Sequence, residues 1–181
     1  EIEDRAFQDC NSIHDIILPE TLEKIGFGAF ICCHGLKKIK MPAGVEETGA
    51  STFWNCTGLE EVEIPSTGIV TDRMFYNCVK LKKVTLHEGI SRIEYLAFWK
   101  CSSLETIKIP DSVKMYFSSW FSDCTALKSV DLGNTINSVD GMFYNCTSLS
   151  EIEIPASVEY IPMNSFVNCT KLSKMYFKGE R

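Results

Sequence analysis

The stretch Ile93-Glu94-Tyr95-Leu96-Ala97-Phe98-Trp99-Lys100-Cys101-Ser102-Ser103-Leu104-Glu105-Thr106-Ile107-Lys108-Ile109-Pro110-Asp111-Ser112-Val113 decides the fold, because the chain repeats it from end to end. Phe98 has counterparts at Phe7, Phe30, Phe53, Phe75, Phe121, Phe143 and Phe166, in steps of 22 or 23 residues. Three residues beyond each Phe stands a Cys: Cys10, Cys33, Cys56, Cys78, Cys101, Cys124, Cys146 and Cys169. Three further on comes Ile13, Leu36, Leu59, Leu81, Leu104, Leu127, Leu149 or Leu172. A fixed period of this length marks units that stack on their neighbours, since one unit alone cannot enclose its apolar side chains. We therefore read residues 1–181 as a single solenoid of eight repeats.

Two periodicities share each unit. Ile107-Lys108-Ile109 alternates inward and outward, as a strand with one buried face does. Pro at 19, 42, 65, 110 and 155 then stops the strand, because it has no N–H for a further ladder bond. Ala97-Phe98-x-x-Cys101 has the spacing of one helical or 3₁₀ turn. Each repeat is expected to be a strand, a turn and a short helical return, with the strands in one parallel sheet. His87, Gly133 and Lys178 stand where Pro is expected, which weakens the strand stop there.

Composition limits the function. Apolar residues make up 45 % and charged residues 23 %, so the chain builds a core and is not disordered. The net charge of −6 includes no basic run of the kind that phosphate backbones require, so no nucleic-acid partner is expected. No apolar stretch approaches a bilayer's thickness, so this segment should not insert in a membrane. The chain opens on Glu1 close to a repeat's core, without a signal peptide, and is expected to be a fragment of a longer protein.

Residues 93–113 and their copies resemble the BspA-like class of leucine-rich repeats, over essentially the whole chain. That resemblance implies an α/β-type, right-handed coil, with a parallel β-sheet on the concave face and short helical or 3₁₀ turns on the convex flank. It also implies a non-enzymatic extracellular or cell-surface module for adhesion, recognising a host, matrix or surface protein. A structural spacer presenting another domain is the alternative. The family offers no catalytic motif or cofactor, and oligomeric state is not legible.

Nine Cys in an extracellular chain would ordinarily suggest disulfides. Eight of them, however, recur at the repeat spacing, and parallel inward thiols in neighbouring coils lack the converging geometry of a bridge. Buried free thiols are the better reading. Cys32 lies outside this file, and Cys32-Cys33-His34 lacks the spacing of a structural zinc site, so no metal is expected. His14, His34 and His87 occupy three different repeat positions and do not converge on a catalytic centre. Asn55, Asn145 and Asn168 begin Asn-Cys-Thr sequons, which the repeat's demand for Cys creates.

Two surfaces remain as candidate binding faces. The outward strand positions give Lys38, Lys40, Glu61, Glu63, Lys83, Lys108, Asp131, Glu151, Glu153, Lys174 and Tyr176 on the concave sheet. Opposite charges alternate along it, so much of the face answers itself, with its C-terminal end least neutralised. The residue after each Phe supplies an aromatic row of Trp54, Tyr76 and Trp99, with Tyr144 further along. Such rings engage sugars or hydrophobic peptides, or simply cover the flank. Finally, the intervals Pro65 to Phe75 and Gly133 to Phe143 are one residue short, and each ends in a Met, Met74 or Met142, where a small residue is usual. A flexible Met is expected to fill the space.

Overall fold

The computed structural model describes residues 1–114 and 119–179. They wind into a parallel β-solenoid of about seven turns. Nine short strands are present: β1 (Lys24–Ile25), β2 (Lys38–Lys40), β3 (Glu47–Thr48), β4 (Glu61–Ile64), β5 (Lys83–Leu86), β6 (Thr106–Lys108), β7 (Ser129–Asp131), β8 (Glu151–Ile154) and β9 (Lys174–Phe177). No helix among the described residues is long and apolar enough to cross a membrane.

The concave face carries seven of these strands, all parallel where paired. Lys38 aligns with Glu61 and Glu61 with Lys83, so each residue of the repeat meets its counterpart one coil on. The expected single sheet is divided: β2-β4-β5, β6-β7 and β8-β9 form separate ladders. At the first interruption, Val84 and Leu86 of β5 are only half-buried, whereas Val62 and Ile107 are buried. β1 and β3 belong to a second ladder, formed where the chain leaves the strand for the return.

The convex return is the main correction. Helical or 3₁₀ turns were expected, and the described residues contain neither. In the second coil Ala29, Ile31 and Cys33 donate their N–H three residues back, to Gly26, Phe30's coil neighbour Gly28, and Phe30 respectively. The intervening Gly28, Phe30 and Cys32 donate instead to Ala50, Thr52 and Trp54 of the next coil. A helix aligns all its N–H groups along its own axis; here every second one points along the stack. That alternation needs left-handed backbone two residues before and two after each Phe, as at Arg5 (φ 56°) and Asp9 (φ 60°). The second of these positions holds Asp9, Asn55, Asn77, Asp123, Asn145 and Asn168, the residue types that tolerate left-handed backbone best after Gly. The sequons therefore have a backbone cause as well as the requirement for Cys.

The core is a set of parallel files. Eight Phe rings stack from Phe7 to Phe166, with centroids 5.2–6.0 Å apart and planes within 21°. Beside them run the Leu and Ile files, buried in every internal coil. Each Cys from Cys33 to Cys169 donates its thiol to the carbonyl of the Phe one coil back, at 3.0–3.3 Å. All nine Cys are free. Burial pushes the Cys33 thiol up to about 11 and raises those of Cys56, Cys78, Cys101, Cys124 and Cys146 well above their ordinary 9.0. The file is thus a polar ladder within the apolar core.

Met74 and Met142 are fully buried. Trp120 fills the same repeat position, also fully buried, in a coil of ordinary length. A missing residue is therefore not a condition for a large side chain there.

Candidate binding faces

The parallel register decides which outward charges meet. Lys38 reaches Glu61 at 3.1 Å, Lys40 reaches Glu63 at 3.3 Å, and Lys108 approaches Asp131 at 3.8 Å. His87 and Lys178, in the place of Pro, turn their side chains onto the same face and contact Glu63 and Glu153. Partial burial pushes the Glu63 carboxyl upward, but hydrogen bonds from Lys40 and His87 outweigh it and hold Glu63 below its ordinary 4.5. Each exposed pair contributes little, within roughly 0–1 kcal/mol. Their effect is to cancel charge locally and hold long side chains upright.

What remains uncancelled is narrower than the alternation of signs suggests. Glu61 serves Lys38, so Lys83 on its other side has no ion pair among the described residues. Glu151 and Lys174 are register partners, yet no ion pair joins them either. Tyr176, beside Glu153, is half-exposed. The unmatched groups of this face are therefore Lys83, Glu151 and Lys174, with Tyr176 the large aromatic. One further row escaped the sequence reading: Lys82 pairs with Glu60 at 3.4 Å and Lys128 with Glu105 at 2.7 Å. Its signal was the alternation Lys37, Glu60, Lys82, Glu105, Lys128 directly after each Leu.

The aromatic row does assemble. Trp54 and Tyr76 lie 6.0 Å apart with planes at 28°, and Tyr76 and Trp99 lie 4.3 Å apart at 19°. The Lys100 ammonium sits 5.5 Å from the centroid of Trp99. The three rings are half-buried, while Tyr144 is exposed and stands apart from them. Stacked on one another, these rings spend their faces internally and present mostly edges outward. Sugars bind aromatic faces, so this packing serves flank cover better than it serves a glycan.

Two clefts mark places where coils separate. The larger, about 430 Å³, lies on the second ladder between Lys24, Phe27, Glu47, Thr71 and Arg92. It opens at the one-residue-short return, where Val70 bridges to Ile93 but not to Thr48. The other, about 310 Å³, is lined by Asp131, Gly133, Glu153, Pro155 and Lys178 at the interruption between β7 and β8. His14, His34 and His87 remain apart: His14 contacts the Ser12 carbonyl, His34 lies 3.0 Å from Thr57 Oγ1, and His87 faces Glu63. Among the described residues no three His, Cys, Asp or Glu converge on a metal site. Cys32 is half-buried, and its sulfur accepts a hydrogen bond from the Asn55 amide.

This architecture defines a leucine-rich-repeat solenoid. The sequence profile described as the BspA type leucine rich repeat region matches residues 1–105 and 59–173, in six copies, and the chain belongs to that family. A leucine-rich repeat protein from Bacteroides ovatus is 30 % identical over 86 % of this chain and 41 % of its own, with a TM-score of 0.81. The T. pallidum leucine rich repeat protein is 26 % identical over 78 % of this chain and 63 % of its own, with a TM-score of 0.67. The pneumococcal vaccine antigen PcpA, at 22 % identity, shares the fold, with 87 % of this chain and 44 % of that one covered and a TM-score of 0.66. The chain thus spans less than two thirds of the length of each of these proteins. No curated protein matches the sequence significantly.

Proposed function

We propose that the chain is a non-enzymatic module of a bacterial cell-surface protein, and that its concave sheet recognises a host or matrix protein. One observation carries this reading. The concave sheet holds Lys83, Glu151, Lys174 and Tyr176 on paired backbone, three charges without ion partners and one half-exposed ring. Charges held on paired strands need little ordering when a partner docks, so less entropy opposes binding. Repeat solenoids commonly bind along an extended concave surface of this kind, and membership of a family with surface-protein relatives supports the location.

The test is surface plasmon resonance of the purified chain over immobilised matrix proteins. Charge reversal at Lys83 and Glu151 should weaken any specific signal, with faster dissociation and unchanged folding. Binding that is indifferent to both reversals would place recognition elsewhere.

A further inference from the structure

We propose that the two end faces of the chain bind each other, so that the last coil of one copy stacks head to tail on the first coil of a second copy. At internal junctions the N–H groups two before, at and two after the core Phe donate to the next coil, as Gly28, Phe30 and Cys32 do. The same groups of the last coil, on Asn164, Phe166 and Asn168, have no backbone acceptor among the described residues. At the opposite end the carbonyls of Asp4, Ala6 and Gln8 hold the matching acceptor positions and receive no such bond. One face is therefore a row of donors and the other a row of acceptors. The Cys10 thiol likewise lacks a Phe carbonyl, and the Phe166 carbonyl lacks a thiol. Phe7 and Phe166 each stack on one side only.

The side chains match as well. Adding a second copy at the repeat spacing sets its Asp15 beside Lys174, continuing the row that holds Glu61 and Lys83. Neither Asp15 nor Lys174 has an ion pair among the described residues. Ile17, 96 % exposed, would meet Tyr176, 51 % exposed, and Ile2 would meet Ile161. Of the ten large hydrophobics exposed among the described residues, six belong to the last coil: Tyr160, Ile161, Met163, Val167, Tyr176 and Phe177. Patches of this kind mark contact surfaces. Symmetric pairing of two C-terminal faces is disfavoured, because it would set donors against donors. A head-to-tail contact leaves a free face at each end, so the assembly is open and grows by further copies. This inference is independent of the concave-face reading.

Sedimentation velocity over a wide range of concentration tests it. The unaltered chain should form species that lengthen with concentration. Asp15→Lys alone and Lys174→Glu alone should each weaken association by roughly 2- to 30-fold, by setting like charges together. An equimolar mixture of the two variants should restore it, since every junction between unlike copies then joins opposite charges. Both residues are exposed, so neither change threatens the fold. A chain that stays monomeric at every concentration overturns the proposal. So does association that survives both single changes unaltered, or a mixture that behaves as its components do.

Discussion

The thiol of Cys101 donates to the carbonyl oxygen of Phe75, one coil back and 3.3 Å away. Six further Cys–Phe pairs repeat the contact, so the residue that reads as a small hydrophobe is also the core's recurring side-chain donor. Its removal should cost more than the loss of one small side chain. Cys101→Ala strands a buried carbonyl, a penalty of about 1–3 kcal/mol. Cys10→Ala, at a half-buried thiol with no such acceptor, should cost clearly less. Urea unfolding of the two variants, compared by midpoint at constant slope, measures the difference.

Thiol chemistry offers a second check, with a defined pH direction. The buried thiols have folded values raised by burial above 9.0, to about 11 at Cys33. A raised folded value means that the unfolded chain loses protons first as pH rises. The contribution to stability is therefore complete below pH 9.0 and declines as pH climbs through 9.0 towards the folded value. Thermal melts under reducing conditions should show a falling Tm across that interval. At neutral pH, a thiol reagent should label Cys32, Cys10 and Cys169 quickly and the six buried Cys only as the chain unfolds.

Met74 is fully buried within the short return, whereas Met163 is 83 % exposed. Met74→Ala should lower stability by about 2–5 kcal/mol through the cavity it leaves. Met163→Ala should change it by no more than about 0.5 kcal/mol, as surface changes do. Equal costs in chemical denaturation would show that Met74 does not fill the space.

Asn77 adopts φ 60° and donates its side-chain amide to Asn55 Oδ1 at 2.6 Å. Asn77→Ala combines the loss of that bond with left-handed strain of roughly 1–2 kcal/mol. Asn77→Gly loses the bond but relieves the backbone, and should be the milder change by unfolding midpoint. The opposite order would mean that the amide ladder, and not the backbone, selects Asn.

Much of the candidate surface was legible, because parallel register makes neighbours of residues one period apart. Lys38 with Glu61 and Lys40 with Glu63 follow from spacing alone. Which charges stay unmatched was not legible. A Glu between two Lys serves only one of them, and His87 and Lys178 join the face only because the chain turns there. The aromatic row was placed correctly, but its stacked rings were not foreseeable, since residue spacing carries no information on ring orientation.

Sequence alone determined the period, the parallel strands and the membership of each core file, since inward side chains must recur once per coil when coils stack. It could not distinguish a helical turn from the return observed. Phe-x-x-Cys satisfies either, and only the next coil decides where the N–H groups of Gly28, Phe30 and Cys32 find acceptors. The tertiary structure also supplied the partners of the thiols and the complementary rows at the two ends. Those depend on backbone carbonyls, which every residue carries and no sequence pattern marks.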